Sequence, residues 1–313
     1  MRMIRSSGMP RLPIRHLPGR LYHAAAVGLC LGPAVGLLAA GAAQGPVPRF
    51  SGGVQLVEVY ATVTDARGEP VTDLGRDDFE VYEDGRRQEV AAFAAGQVPL
   101  TVAVGVDRSW SVAGEPLRLA RRATQAFLGA LGPADRSMVV AIGSDVEVIA
   151  ELSSDHETQR RAVEGLEPWS TTALHDAIVG ALDRLETEPG RRALVVFSDG
   201  VDRYSRTSTA EVLERARQSQ VLVYPITLGR TRPPLAAELA VLTGGRSFLL
   251  RDARALEETF ATIARELRYQ YLLGYAEPEA ESSEPRRWRS IRVTVRDTRP
   301  GLRVRARDGY YAD

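Results

Sequence analysis

The sequence predicts an α/β protein: a doubly wound, mainly parallel sheet inserted in a small β-sandwich-like unit built from both chain ends. Three observations carry that expectation. Short, nearly continuous apolar runs recur at residues 100–106, 138–142, 193–197 and 221–226, as strands read when both faces of a parallel sheet are covered. Segments with 3.6-residue apolar spacing lie between them, and such alternation of strand and helix builds parallel sheets. At both ends the apolar period falls to two, and neither end alone holds enough strands for a core of its own.

The elements follow in order. Residues 1–43 read as a signal peptide: Arg2, Arg5, Arg11, Arg15 and Arg20 precede an apolar stretch at 24–43 that exits through Ala40-Gly41-Ala42, an A-x-A-like site. Gly28, Gly32, Pro33 and Gly36 weaken it as a spanning helix; left uncleaved, it would anchor the protein to the membrane. The only cysteine, Cys30, lies inside it, so the mature chain holds no disulfide. The expected location is exported, periplasmic or extracellular. No later apolar run is long enough to cross a bilayer, so the mature chain is expected to have no membrane span.

Residues 44–53 read as a linker, rich in Gly and Pro. In the N-terminal β-strand segment, 54–97, Val57, Val59, Ala61 and Val63 alternate, Phe79 and Val81 continue, and Asp84-Gly85 signals a hairpin before Val90 and Phe93. Residues 98–270 form the α/β domain. Within it, Leu174, Ala177, Ile178, Ala181, Leu182 and Leu185 share one helical stripe, and Ser208 with Glu211 makes a capping box. Asp252 is placed to cap a stripe of Leu256, Phe260, Ile263, Ala264 and Leu267. The C-terminal β-strand segment, 271–313, is expected to pair with 54–97. It begins with an acidic loop at 277–285. Ile291, Val293 and Val295 then alternate with arginines, as do Leu302, Val304 and Ala306, which reads as a hairpin with a solvated arginine face.

Composition removes several function classes. Forty basic and forty acidic residues cancel, so no nucleic-acid partner is expected. Every basic residue is arginine and asparagine is absent, which excludes a phosphate-loop lysine, a Schiff base, a Ser-Lys dyad and an Asn-linked glycan. Outside the leader only His156 and His175 remain, too few for a His/Cys zinc site of the usual kind. No G-x-S-x-G elbow is present, and the protein is not expected to be an enzyme.

One constellation does carry chemistry. The first strand of the α/β segment ends in Asp107-Arg108-Ser109-Trp110-Ser111. A carboxylate and two hydroxyls at alternate loop positions can converge as hard oxygen donors, which suits Mg²⁺. Thr172 precedes the helix that starts near Leu174, and Asp199 ends the strand at 193–197 and precedes Gly200. All three pieces lie at strand-to-helix junctions, where doubly wound sheets bind ligands. Asp176 and Asp183 read as solvated or capping residues, and His175 as incidental.

D-x-S-x-S, then T-A-L-x-D-A, then F-S-D-G together resemble the von Willebrand factor type A domain, over about residues 98–270. The resemblance implies a metal-ion-dependent adhesion site (MIDAS). Ser109, Ser111 and Thr172 would bind Mg²⁺ directly, with Mn²⁺ or Ca²⁺ as substitutes, and Asp107 and Asp199 largely through water. A sixth position would stay open for a protein ligand with an exposed Asp or Glu. The flanking segments are similar to those of a bacterial subgroup of secreted proteins of this type. The sequence departs from the family at Trp110, where glycine is common, and at Ser170-Thr171, where Gly-Gly is frequent. Trp110, Arg108 and Asp202 are candidates for the rim that touches the ligand.

The function expected is therefore an exported, Mg²⁺-dependent protein-binding module for adhesion or complex assembly. Its rivals are a metal-assisted hydrolase of phosphoesters and an assembly component whose metal is purely structural. Because the liganding hydroxyls sit in loops, they are expected to be exposed and to matter little for folding. The small residues after the apolar stretch place cleavage near Ala42 or Ala43; N-terminal sequencing of the exported product checks this, and a product beginning at Met1 would reject it.

Overall fold

The computed structural model describes residues 56–96, 98–277, 287–296 and 299–312. The leader, its cleavage site, the linker and all of the acidic loop except Glu277 lie outside the described residues. The chain runs through β1 (Leu56–Thr64), β2 (Phe79–Glu83), β3 (Arg86–Gln88) and β4 (Ala92–Ala95) before the α/β body begins. The body comprises β5 (Leu100–Asp107), α1 (Glu115–Gly129), β6 (Arg136–Ile142), β7 (Val146–Ser153), α2 (His156–Glu164), α3 (Leu174–Glu186) and β8 (Arg191–Ser198). It continues through α4 (Thr209–Gln218), β9 (Val221–Leu228), α5 (Pro234–Thr243), β10 (Phe248–Leu250) and α6 (Leu256–Arg268). The strands β11 (Tyr271–Ala276), β12 (Arg287–Val295), β13 (Arg303–Arg305) and β14 (Gly309–Ala312) complete the chain.

The body is a six-stranded sheet in the order β10-β9-β8-β5-β6-β7. It is parallel except for β7, which pairs antiparallel with β6 at one edge. Every residue of β5 and β8 is buried, because helices cover both faces: α1, α2 and α6 on one, α3, α4 and α5 on the other. That is why these strands read as unbroken apolar runs. The α3 stripe is buried as its spacing requires, and Ser208 and Glu211 close their capping box at the start of α4. Asp252 caps a 3-10 turn that leads into α6. From β5 the chain steps to β6 on one side and later returns to β8 on the other, so the carboxyl ends of β5 and β8 flank the topological switch point.

The chain ends build two four-stranded sheets, β13-β1-β11-β4 and β14-β12-β2-β3. Each sheet mixes strands from before and after the body, and the two share one apolar core that includes Val57, Val59, Phe79, Val81, Tyr271 and Ile291. The Phe79 ring lies 4.9 Å from Tyr271, across the two sheets. At the β2–β3 hairpin, Asp84 and Gly85 both take positive φ, 45° and 78°, as a two-residue turn of the primed type demands.

Two expectations about the C-terminal segment change. Strands β12 and β13 do not form a hairpin; they pair with β2 and β1 in different sheets. Nor is their arginine face simply solvated: Arg305 reaches Glu266 of α6 at 2.6 Å, and Arg246 holds the same fully buried carboxylate at 2.6 Å. A buried acid recruits these partners because an unpaired charge there would be costly. Among the described residues no helix is long and apolar enough to cross a membrane.

Glu83 is the polar tie between the two small sheets. Its buried carboxylate accepts from Tyr275 of β11 at 2.6 Å, from Tyr310 of β14 at 3.0 Å and from Arg289 of β12 at 2.7 Å. Burial and the Glu83 charge push both phenols above the ordinary tyrosine range. Removing one member of such a buried pair costs about 3 kcal/mol or more. We expect Glu83→Ala to lower unfolding free energy by about that amount in urea melts, and Glu83→Gln to cost less.

Candidate functional site

Asp107 is the last residue of the central strand β5 and is completely buried. Its Oδ1 accepts from the Ser109 amide at 2.8 Å and its Oδ2 from the Ser198 hydroxyl at 2.6 Å. These bonds orient the carboxylate but bring no positive charge. Among the described residues it forms no ion pair. Burial raises its carboxyl above the usual aspartate range; the bonds from Ser198 and Ser109 oppose that rise, and the nearby Asp199 charge adds to it. The fold therefore concentrates negative charge here without neutralising it.

The two serine hydroxyls stand 3.0 Å apart. Adjacent oxygens of an octahedron with bonds of about 2.1 Å lie roughly 3.0 Å apart, so the spacing suits Mg²⁺ ligation; without a cation it is a hydroxyl–hydroxyl hydrogen bond. Ser109 takes an extended conformation at the position just before the short 3-10 turn Trp110–Val112, and that turn brings Ser111 back toward it. Among the described residues no group of three or more His, Cys, Asp or Glu could hold a metal. Any cation here would rest on two carboxylates and neutral hydroxyls.

Backbone bonds draw the other loops to this point. The Trp169 amide donates to the Arg108 carbonyl at 2.7 Å, and the Trp110 amide to the Ser170 carbonyl at 3.2 Å. These bonds bind the Asp107 loop to the one carrying Thr172. Ser170 adopts a left-handed φ of 58°, which explains why glycine suits this position. The Thr172 carbonyl in turn accepts from the Arg203 and Tyr204 amides, both at 3.0 Å, bringing in the loop after Asp199. Asp199 accepts from the Val201 amide at 3.0 Å. Gly200 follows with φ 81°, and a Cβ there would stand 2.6 Å from Pro233 Cγ, so glycine is required.

The expectation of exposed hydroxyls needs correction: Ser109 and Thr172 are each 2% exposed, and only Ser111 is open. The interlocked loops fold over the sheet edge and enclose them. Arg108 turns aside to pair with Glu147 of β7 at 2.9 Å. Asp202 accepts from the His175 amide at 2.9 Å and from the Ser205 hydroxyl at 2.6 Å. Although burial works against its charge, those bonds hold its carboxyl below the usual range; it is satisfied where Asp107 is not. Asp176 likewise accepts from the Arg206 and Thr207 amides, and His175 Nδ1 lies 3.0 Å from the Thr207 carbonyl. These residues clamp the start of α3 to the 202–207 loop. Sequence reasoning missed Ser198, although a hydroxyl ending the apolar run at 193–197 beside Asp199 was a signal for it.

The profile of the von Willebrand factor type A domain matches residues 102–201, the stretch that holds Asp107, Thr172 and Asp199. The α/β body has the fold of the von Willebrand factor type A domain. No curated protein matches the chain in sequence. Among solved structures, the chain is similar to proximal thread matrix protein 1 from the mussel byssus, with 14% identity, 59% of this chain and 51% of that one covered, and a TM-score of 0.50. A von Willebrand factor type A protein from Catenulispora acidiphila covers more of the chain, 82% against 73% of its own, at 12% identity and a TM-score of 0.49. The von Willebrand domain of the pilus tip protein Mfa5 from Porphyromonas gingivalis matches at 12% identity, 56% and 96% coverage and a TM-score of 0.47. At such identity a likeness is one of fold.

Two substitutions separate charge from shape at Asp107. Asp107→Asn keeps partners for Ser109 and Ser198 while removing an uncompensated buried charge, so metal-free protein should melt higher than wild type. Asp107→Ala leaves the Ser109 amide and the Ser198 hydroxyl without their acceptor and should melt lower. Calorimetric scans in chelator check both signs.

Proposed function

We propose that the β5/β8 edge binds a divalent cation, Mg²⁺ in the first instance, and uses it to hold an acidic side chain of a protein ligand. The observation that carries this reading is the fully buried Asp107 carboxylate, beside the Asp199 charge and two hydroxyls 3.0 Å apart, with no cationic partner among the described residues. A dication would offset that charge. Asp107 and Asp199 would supply about two negative charges, while Ser109, Ser111 and Thr172 supply none, so a cation whose acids act through water keeps an attraction for an incoming carboxylate. The von Willebrand type A resemblance supports the same donor set.

The protein acts as a binding module rather than an enzyme in this reading, exported through the leader at residues 1–43. Hydrolysis needs a general base within reach. His175 is turned to the Thr207 carbonyl, and His156 lies 3.0 Å from the Ser137 hydroxyl and 3.3 Å from Gln159.

Titration calorimetry with Mg²⁺ or Mn²⁺ tests the first step. Wild type should bind and should melt higher with metal, by about 2.7 kcal/mol of added stability at a hundred times the dissociation constant. Asp107→Ala and Ser109→Ala should lose that gain. A pull-down from the exported fraction should yield a partner with Mg²⁺ and none with chelator. No metal binding at millimolar concentrations, or turnover of phosphoesters, would sink the proposal.

A further inference from the structure

Exposed apolar side chains crowd the mouth of this site. Seven large hydrophobic residues are exposed among the described residues, and four of them lie on the three loops just described: Trp110 at 67%, Trp169 at 54%, Val201 at 42% and Tyr204 at 61%. Scattered singly, such residues would need no account; gathered at one mouth, they mark an interaction surface. Three of them are held next to a candidate ligand, and Trp169 next to Arg108. Trp110 lies between Ser109 and Ser111. The Trp169 amide bonds to Arg108, and its ring packs on Gly143, where a Cβ would stand 3.2 Å from Cδ1. The Val201 amide bonds to the Asp199 carboxylate and the Tyr204 amide to the Thr172 carbonyl. The apolar rim is therefore anchored to the same backbone that places the oxygen donors.

That arrangement constrains the partner. A water-exposed acidic side chain on a polar surface would satisfy a cation but leave the two indoles, the phenol ring and Val201 partly wet. A partner that covers them gains from the apolar area removed from water. It also dries the surroundings of the carboxylate, which strengthens its attraction to the cation. Tryptophan and tyrosine are the side chains that most often anchor protein interfaces. An acidic sugar would use the aromatic faces, but Val201 offers no stacking face, so the rim suits a protein segment better. Arg108 brings no competing charge to the rim, because Glu147 already holds it.

We infer that the carboxylate recognised here belongs to a protein segment in which large aliphatic or aromatic residues directly flank the Asp or Glu, and that Trp110, Trp169, Val201 and Tyr204 receive those flanking side chains. This rests on the metal-dependent reading above. The test uses the full chain with Mg²⁺ and two sets of fluorescent hexapeptides, each with a central Asp, flanked either by Leu and Phe or by Ser and Gly. Fluorescence polarisation should show the apolar-flanked set binding about tenfold tighter or more, and chelator should abolish binding. Trp110→Ala and Trp169→Ala should each weaken that set about tenfold. Their melting curves and Mg²⁺ affinity should stay at the wild-type values, because the side chains are exposed. Val241→Ala, exposed on α5 outside these loops, should change nothing. Equal binding of the two peptide sets with Mg²⁺ affinity intact, or tryptophan variants that bind as wild type, would overturn this inference and leave the metal reading standing. Loss of Mg²⁺ binding itself would bring down both. An oligouronate that binds more tightly than any peptide, and is lost in Trp110→Ala, would overturn it in favour of a carbohydrate partner.

Discussion

A carboxylate that the fold orients but does not neutralise stands at the end of the central strand, and the upper edge of the sheet is organised around it. Asp107 has two good hydrogen-bond donors and no countercharge among the described residues. Asp202, a short distance along the same edge, shows the contrast: its bonds to Ser205 and His175 outweigh burial, and its carboxyl is pulled down rather than pushed up. One acid serves to brace loops. The other keeps an unmet electrostatic demand, and a cation meets such a demand more readily than any rearrangement of a packed core.

That demand persists because the structure below it is over-determined. Strands β5 and β8 are buried along their whole length, and helices on both faces leave the strand ends no freedom to shift. The loops are equally constrained by mutual backbone bonds, from Trp169 to Arg108, from Trp110 to Ser170 and from Tyr204 to Thr172. Ser170 tolerates a left-handed backbone within this lattice of bonds. Strain and unpaired charge of this kind survive only where neighbours fix the geometry.

Much of this was legible in the sequence, and the limits were physical. The strands β5, β6, β8 and β9 were readable because burial on both faces gives each a nearly continuous apolar run, and α3 because one stripe meets the sheet. Strand β7 was not: it lies at an edge with charged residues Glu147 and Glu151 facing outward, so it has no strong pattern. The pairing of β1 with β11 joins Val59 to Leu273, a separation that no local periodicity encodes. It followed only from the argument that neither end could make a core alone. At the site, the donor types were legible because the motifs are local. The burial of Ser109 and Thr172 was not, since it depends on loops that meet only after folding. The ion pair of Arg108 was hidden for the same reason, its partner Glu147 lying across the sheet edge on β7.

The placement of the sandwich follows from how the chain enters and leaves the body. Arg191, buried at the first residue of β8, donates to the carbonyls of Val98, just before β5, and of Leu267, at the end of α6. Entry and exit are thereby held together at the amino-terminal edge of the sheet, and burial lowers the arginine's basicity as the cost of that position. Since β4 leads directly into the entry and β11 directly out of the exit, and the two pair with each other, the sandwich must grow from the amino-terminal edge. Glu266, clamped by Arg246 and Arg305, fixes it to α6 nearby. The carboxyl-terminal edge, with Asp107, Asp199 and the aromatic rim, is left open at the opposite end of the strands. An insertion built this way separates attachment from recognition, and the separation comes from the direction of parallel strands alone: both chain ends of the body gather where strands begin, and its loops gather where strands end.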